Sequence, residues 1–321
     1  MFSSQPRLTA LHSSRLRPHV IALAAVFAAV AVSAWAGPIA PAFIYGIDNN
    51  NDIYEVDPLG KSSVLVLSQA AAGGNSNSLA YDTAREDLFF IGPDLKLKYW
   101  TTASGTTVSD VGASPIVSDN NANNAAYFNN AYWFFDFNSN VLNKISLAYS
   151  GTGVDAIPSI SGSAAYSIAG MDLPDPGPGL NTNTFGDIAI KVDTGILYAS
   201  TTRGRFYSVD LNGDPTNTFL QLAPAIATSG TDNTLGLQLS FNSDYSVLYG
   251  HSYENGAWYE VALSDGTRTS IDFSTTPFDG KGFRDLGGAA VVPEPSSLVL
   301  ACVGGVGGIA WSLFRRRRTA A

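Results

Sequence analysis

The side chains in this sequence that could do chemistry are few, and most are carboxylates, amides and hydroxyls. Ser78, Asn124, Asp187, Gly236 and Asp285 each stand immediately before a short segment of small and apolar residues, as in Leu79-Ala80-Tyr81 or Ile188-Ala189-Ile190. Brought to one place, Ser78, Asn124, Asp187 and Asp285 make a candidate binding ring, whose oxygens suit a calcium ion or the hydroxyls of a sugar. The plainer reading is a polar residue that caps each segment and meets water. Asp172, Asp187 and Asp285 are also the best placed for paired-carboxylate hydrolysis of a glycan, one acid and one base or nucleophile. His251 has no Gly-x-Ser-x-Gly partner, so a serine triad is not expected. It follows Tyr249-Gly250 at a strand end and reads as a hydrogen-bonded surface histidine. Zinc is not expected, because residues 37–291 hold one histidine and no cysteine. Asp48-Asn49-Asn50-Asn51-Asp52 and Asp210-Leu211-Asn212-Gly213-Asp214 look like calcium loops. In the second, however, Pro215 replaces the turn glycine and no glutamate closes the loop, so both read as β-turns. These residues designate no catalytic group and require no cofactor, calcium being the one cation they would suit.

The elements that must position these residues repeat. Ser78 to Tyr81 is followed by Asp87-Leu88-Phe89-Phe90 and Lys98-Tyr99-Trp100. Asn124 to Tyr127 is followed by Tyr132-Trp133-Phe134-Phe135 and Asn143-Lys144-Ile145. Asp187 to Ile190 leads to Gly195-Ile196-Leu197-Tyr198 and Phe206 to Asp210, and Gly236 to Leu239 leads to Ser246 to Tyr249 and Trp258 to Val261. Each segment is short, rich in β-branched and aromatic residues and bounded by Gly, Asn, Asp or Ser, as strands are. Fourth strands are expected at 106–111, 218–222 and 267–273. Four short strands recurring about every 45 to 60 residues is the pattern of propeller blades. No stretch of the body carries a helical period.

The expected fold is therefore an all-β propeller of five blades over residues 37–291. Six blades stay open, because 158–184 is long enough to hold part of another, although Pro174, Pro176 and Pro178 argue for an irregular loop there. The first unit lacks an opening strand, starting at Phe43-Ile44-Tyr45-Gly46, and Phe283 to Val291 is an opening strand with no unit after it. Pairing the last strand into the first blade closes the ring and removes its edges. In propellers generally the opening strand lines a central channel, so the candidate ring would lie at one mouth of it. The connectors 73–77, 118–124, 181–184 and 229–234, rich in Asn, Thr, Ser and Gly, would share that face and suit polysaccharide or another protein. Some five-bladed propellers are glycosidases, and Phe283-Arg284-Asp285 resembles an Arg-Asp pair found in them, but their remaining motifs are absent. A carboxylate-dependent glycan hydrolase or lyase is the alternative function.

Both ends of the chain read as targeting segments. Arg7, Arg15, Arg17 and His19 precede an apolar run, Val20 to Val32, and Ala34-Trp35-Ala36 supplies small residues before Gly37: a Sec-type signal peptide over 1–36, or a retained signal anchor. At the other end, Val292-Pro293-Glu294-Pro295 cannot join a helix or a central strand. A 17-residue apolar run, Leu298 to Phe314, is just long enough to span a bilayer as a helix, and Arg315, Arg316, Arg317 and Arg318 would hold its end in the cytoplasm. This order over 292–318 resembles the PEP-CTERM sorting signal of Gram-negative, exopolysaccharide-producing bacteria. The resemblance implies that exosortase processes the chain, after a transient stay in the inner membrane with the body in the periplasm, for the cell surface or extracellular matrix.

Charge narrows the partners. The whole chain carries −9, but without the three N-terminal and four tail arginines 11 of its 18 basic residues remain, and without Glu294 26 of its 27 acidic residues remain, so the body is at −15. Such a surface repels nucleic acid and anionic lipid. Cys302, the only cysteine, lies in the apolar tail. The exported body thus has no disulfide and depends on core burial.

Overall fold

A computed structural model describes residues 42–58, 60–68, 77–117, 122–136, 141–168, 185–201, 204–223, 236–253, 255–271 and 282–291. The strands come in chain order as β1 (Ala42–Asp48), β2 (Ile53–Asp57) and β3 (Ser62–Leu67), then β4 (Asn77–Asp82), β5 (Asp87–Ile91), β6 (Lys96–Thr101) and β7 (Ser109–Ala113). Next are β8 (Ala122–Tyr127), β9 (Ala131–Asp136), β10 (Val141–Ser150) and β11 (Ile157–Ser167). They are followed by β12 (Phe185–Lys191), β13 (Ile196–Thr201), β14 (Phe206–Asp210) and β15 (Leu220–Ala223). The last are β16 (Gln238–Phe241), β17 (Leu248–His251), β18 (Trp258–Val261), β19 (Arg268–Ile271) and β20 (Phe283–Val291). The described residues contain no α-helix, only two single 3₁₀ turns.

The strands form five four-stranded sheets. Four are consecutive meanders, and the remaining sheet has the order β20-β1-β2-β3. The inner strands β20, β4, β8, β12 and β16 touch in that cyclic order, and β16 touches β20 again. The body is a five-bladed β-propeller. No described strand is left over for a sixth blade. In the stretch where part of one could have lain, residues 157–167 form β11, the outer strand of the third blade. Pro158 is tolerated there because an outer strand has a free hydrogen-bonding edge.

Strand composition follows from where each strand sits. A middle strand is covered on both faces by neighbouring blades, so alternate residues enter different seams. In β9, Trp133 and Phe135 pack toward the fourth blade, while Tyr132 and Phe134 pack toward the second. The core is accordingly five apolar clusters, one in each seam between adjacent blades. The outer strands keep mostly exposed or half-buried residues, as in β3 and β19.

Closure occurs as the missing opening strand implied. β20 pairs antiparallel with β1, from Asp48 opposite Phe283 to Ala42 opposite Val291. Phe283 is fully buried and lies against Gly46, where a Cβ atom would come within 2.8 Å of its ring. Tyr54, His251 and Trp258 surround the same ring. Phe283→Ala should therefore cost about 3–5 kcal/mol through lost burial and the cavity left behind. Leu220→Ala, at a side chain 57% exposed, should cost less than about 0.5 kcal/mol. Equilibrium urea unfolding of the two variants checks both values. Equal midpoints would mean that the closing strand contributes nothing to stability.

Candidate functional site

In four of the five inner strands the first residues are set by a break in the ladder. Register shifts fall between Asn77 and Ala80, between Ala122 and Ala125, between Phe185 and Asp187, and opposite Phe283 and Asp285. A bulge re-aims the side chain it contains. Ser78, Asn124, Asp187 and Asp285 occupy these breaks, and all four are fully buried. The expected ring does not present these side chains to solvent at a channel mouth.

The fifth position differs from the sequence reading. Asp285 Oδ2 accepts from the amide of Leu79, one residue beyond Ser78, at 2.5 Å. Asp187 Oδ2 accepts from the amide of Leu239 at 2.8 Å. Leu239 lines the axial cavity together with Ala125, Ile188 and Leu286. The fifth member is therefore Gln238, not Gly236. A slip of two residues keeps every side chain on the same face of a strand, so periodicity alone could not detect it.

These contacts tie blade to blade. Asp285 links the first blade to the second, and Asp187 links the fourth to the fifth. Tyr132 donates its hydroxyl to the carbonyl of Ser78 at 2.6 Å, joining the third blade to the second. Ser200 and Ser240 donate to the carbonyls of Leu237 and Gly287, across the fourth–fifth and fifth–first seams. Asn124 Oδ1 accepts from the amide of Phe135 within its own blade. Its Nδ2 is buried with no partner among the described residues.

Asp187 and Asp285 are near enough for each carboxyl to perturb the other. Burial, followed by the charge of Asp285, pushes Asp187 well above the usual carboxylate range, against the amides of Leu239 and Ile188. Burial likewise raises Asp285, opposed by the amide of Leu79, by Asp187 and by the amides of Leu286 and Ser78. Burial of two neighbouring carboxyls thus favours a proton on the pair, which clamps the blades at the axis. Both carboxyls are fully buried, whereas hydrolysis by paired carboxylates needs access for a glycan and a water. Asp172 lies outside the described residues. No cluster of three or more His, Cys, Asp or Glu that could hold a metal occurs among the described residues.

His251 corrects another expectation: it is fully buried, not on the surface. Its Nε2 accepts from the amide of Phe283 at 2.9 Å, so it seats the first residue of the closing strand. Burial lowers its pKa to about 3, keeping the ring neutral. The Asp48 and Asp210 segments are turns closed by their own carboxylates, which accept the amides of Asn50 and Asn212.

A second polar cluster was not read from the sequence. Arg85 Nη1 donates to Asp82 Oδ2 at 2.7 Å, its guanidinium lies 3.7 Å over the Tyr149 ring, and the Tyr149 and Tyr127 hydroxyls bond at 2.9 Å. It bridges the second and third blades where the inner strands end. Beside it Asp87 is pushed up to about 7 by burial and then by Asp82, against Arg85. Nothing in a single turn such as Asp82-Thr83-Ala84-Arg85 signals a partner so far along the chain. On the axis at this same end, Tyr81, Tyr127, Phe241 and Tyr245 surround a cavity with room for about two water molecules.

The closing strand leads directly into the tail. Residues 291–318 match the PEP-CTERM protein-sorting motif. This is a sorting signal. It implies export, a transient membrane anchor and processing of an extracellular protein by exosortase. The motif residues Pro293, Glu294, Pro295 and Arg315 to Arg318 lie outside the described residues, as do the expected signal peptide at 1–36 and apolar run at 298–314. Among the described residues no helix is long and apolar enough to cross a membrane.

Curated proteins give no match to the chain. Similar solved structures include a nidogen/laminin complex, 10% identical with a TM-score of 0.44 over 80% of this chain and 82% of that one. Dihydro-heme d1 dehydrogenase NirN in complex with DHE is 14% identical, with a TM-score of 0.34 over 76% of this chain and 46% of that one. A structural-genomics protein of unknown function from Bacteroides thetaiotaomicron VPI-5482 is 10% identical, with a TM-score of 0.39 over 72% and 64%. Scores this low carry no argument about what the chain does.

The raised carboxyls have a measurable consequence. A carboxyl whose folded-state pKa is raised binds its proton more tightly in the native state, so its contribution to stability is present at acid pH and is lost as pH rises through and above the carboxylate range. In Asp285→Asn the side-chain carbonyl can still accept from Leu79, and one of the two buried carboxyls is gone. The variant should therefore lose less stability than the parent between pH 4 and pH 8, by about 1–3 kcal/mol. Urea midpoints across that range give the two curves, and their difference cancels Asp87 and His251. Parallel curves would mean that the pair takes up no extra proton on folding.

Proposed function

We propose that the chain is an exported, exosortase-processed surface or extracellular-matrix protein, non-enzymatic, that binds polysaccharide or another extracellular protein. The observation that carries the processing half is where the motif starts. It begins at Val291, the last residue of the closing strand, which is still paired with Ala42. A cut within Pro293-Glu294-Pro295 would leave β20 whole, so the released product would keep its closed ring.

The binding half rests on connectivity and composition. Each of the five inner strands is the first or closing strand of its blade and follows a connector in the chain. Residues 73–76, 118–121, 181–184 and 229–234 of those connectors are dense in Asn, Thr, Ser and Gly and lie outside the described residues. Amide and hydroxyl groups on loops held by a rigid scaffold suit polyhydroxylated ligands. The polar ring serves as the scaffold's clamp, and ligand recognition falls to the connectors. The complete burial of Asp187 and Asp285 weighs against hydrolysis by that pair.

Replacing Pro293, Glu294 and Pro295 together by alanine should trap the protein in the inner membrane, as followed by cell fractionation. Normal release of that variant would refute exosortase processing. The released parent protein, applied to a glycan array with reducing-sugar release measured in parallel, should bind without turnover. Liberated sugar would overturn the non-enzymatic reading, and binding to neither glycans nor matrix proteins would overturn the ligand class.

A further inference from the structure

The turn that joins β4 to β5, from Asp82 to Asp87, reaches three blades at once. Thr83 Oγ1 lies 3.4 Å from the Tyr245 hydroxyl of the fifth blade, and Arg85 contacts Tyr127 and Tyr149 of the third. Asp82 ends β4, Asp87 begins β5, and the two are direct cross-strand partners. Asp82 shares a strand face with Ala80, and Asp87 shares one with Phe89, so both carboxyls enter the seam between the second and third blades. Both are buried, but they are served unequally. Asp82 Oδ1 accepts the amide of Ala84, and its Oδ2 accepts Arg85. Neither oxygen of Asp87 has a hydrogen-bond partner among the described residues. A buried carboxylate is tolerated when ionised only if something pairs with it, so the surroundings of Asp87 suit its protonated form.

We propose that Asp87 is a proton-operated latch: protonated, it leaves Arg85 on Asp82 and the Tyr149 ring, and ionised, it draws the guanidinium to itself and loosens the second–third seam. The occupant is a proton and not a metal ion. A metal needs several oxygens around it, whereas only Asp87 has both of its own uncommitted, and a guanidinium stands beside it. Arg85 is the group that answers. Its bonds to Asp82 and Tyr127 both come from Nη1, at 2.7 and 3.3 Å, so its fork of donors can be shared with a second carboxylate. Asp82 and Arg85 are the charges that act on Asp87. Glu86, in the same turn, acts on Tyr45 and Tyr81 in the opposite seam. From β8 and β10 come Tyr127 and Tyr149, whose phenols burial pushes up, and from β6 come Tyr99 and Thr101. Burial and then Asp82, against Arg85, hold the Asp87 proton up to about pH 7. The latched state is therefore present at acid pH and is lost as pH rises through that value. Thr83 and Tyr127 also line the axial cavity, so the latch sits in the cavity wall.

With this latch, Tyr149 matters less to stability once Asp87 is ionised. In the protein purified from producing cells, Tyr149→Leu should lower the urea midpoint at pH 5.5, and by about half as much or less at pH 8.5. Comparing the drop within each pH cancels the titration of Asp187 and Asp285. Asp87→Asn keeps the shape of the protonated acid, and in that background the Tyr149→Leu drop should be the same at both pH values. Arg85→Gln, at a partly exposed side chain, removes the guanidinium and should likewise make the drop independent of pH. It carries the comparison by itself if Asp87→Asn does not fold. The far-ultraviolet circular dichroism of the parent, retained in each variant, shows that the variant is folded. The proposal is overturned by a Tyr149→Leu drop of equal size at both pH values in the otherwise unchanged protein. It is equally overturned by a pH-dependent drop that survives in Asp87→Asn or in Arg85→Gln.

Discussion

The pairing of the last strand with the first is the constraint on which the rest of the molecule depends. Without β20 the first blade would have three strands, and β1 would expose an inner edge to the axis. The seam cluster built on Ile44, Val56, Phe283 and Leu286 would lose two of its buried side chains. Four different contacts hold that strand: the β1 ladder, the amide of Phe283 on His251, Asp285 on the amide of Leu79, and the Ser240 hydroxyl on the carbonyl of Gly287. The ring is therefore closed in sequence and locked in space by the same nine residues.

Polar groups near the axis do in this propeller what disulfides do in many exported domains. The apolar seams supply burial, but apolar contact is not directional and tolerates sliding between blades. Hydrogen bonds from Asp285, Asp187, Tyr132, Ser200 and Ser240 specify which residue of one blade faces which residue of the next. Burying two carboxyls would be costly if both were ionised. A proton held on the pair lowers that cost and still leaves carboxyl oxygens to accept backbone amides. The same choice makes the clamp sensitive to alkali, whereas the neutral buried His251 makes the closing strand sensitive to acid.

The sorting motif gives this closure a further meaning. A tail that starts at the final residue of the locking strand can be removed without loosening the lock, because every residue that closes the ring lies upstream of the Pro-Glu-Pro segment. Membrane attachment and folding are in this way separable in the chain, one at each side of Val291.

Much of this was legible in the residues. Strand periodicity, the recurrence of four strands, the incomplete first unit and the orphan strand at 283–291 point to a closed five-bladed ring, and Pro293-Glu294-Pro295 with the following apolar run and arginines point to the sorting signal. These are local patterns, written in composition and order. Besides the Arg85 cluster, three things were not legible. The fifth ring member was placed at Gly236 rather than Gln238, since a shift of two preserves a strand's alternation. His251 was read as a surface group, since nothing beside it in sequence shows that Trp258 and Phe283 enclose it. The ring was read as an open mouth, since burial of Asp187 and Asp285 depends on bringing together strands about a hundred residues apart in the chain. Sequence by itself determined the strands and the address and favoured five blades while leaving six open, because each is set by neighbours along the chain. Only the tertiary structure decided that there are five blades and that the two buried aspartates perturb each other, because both depend on groups brought together by closing the ring.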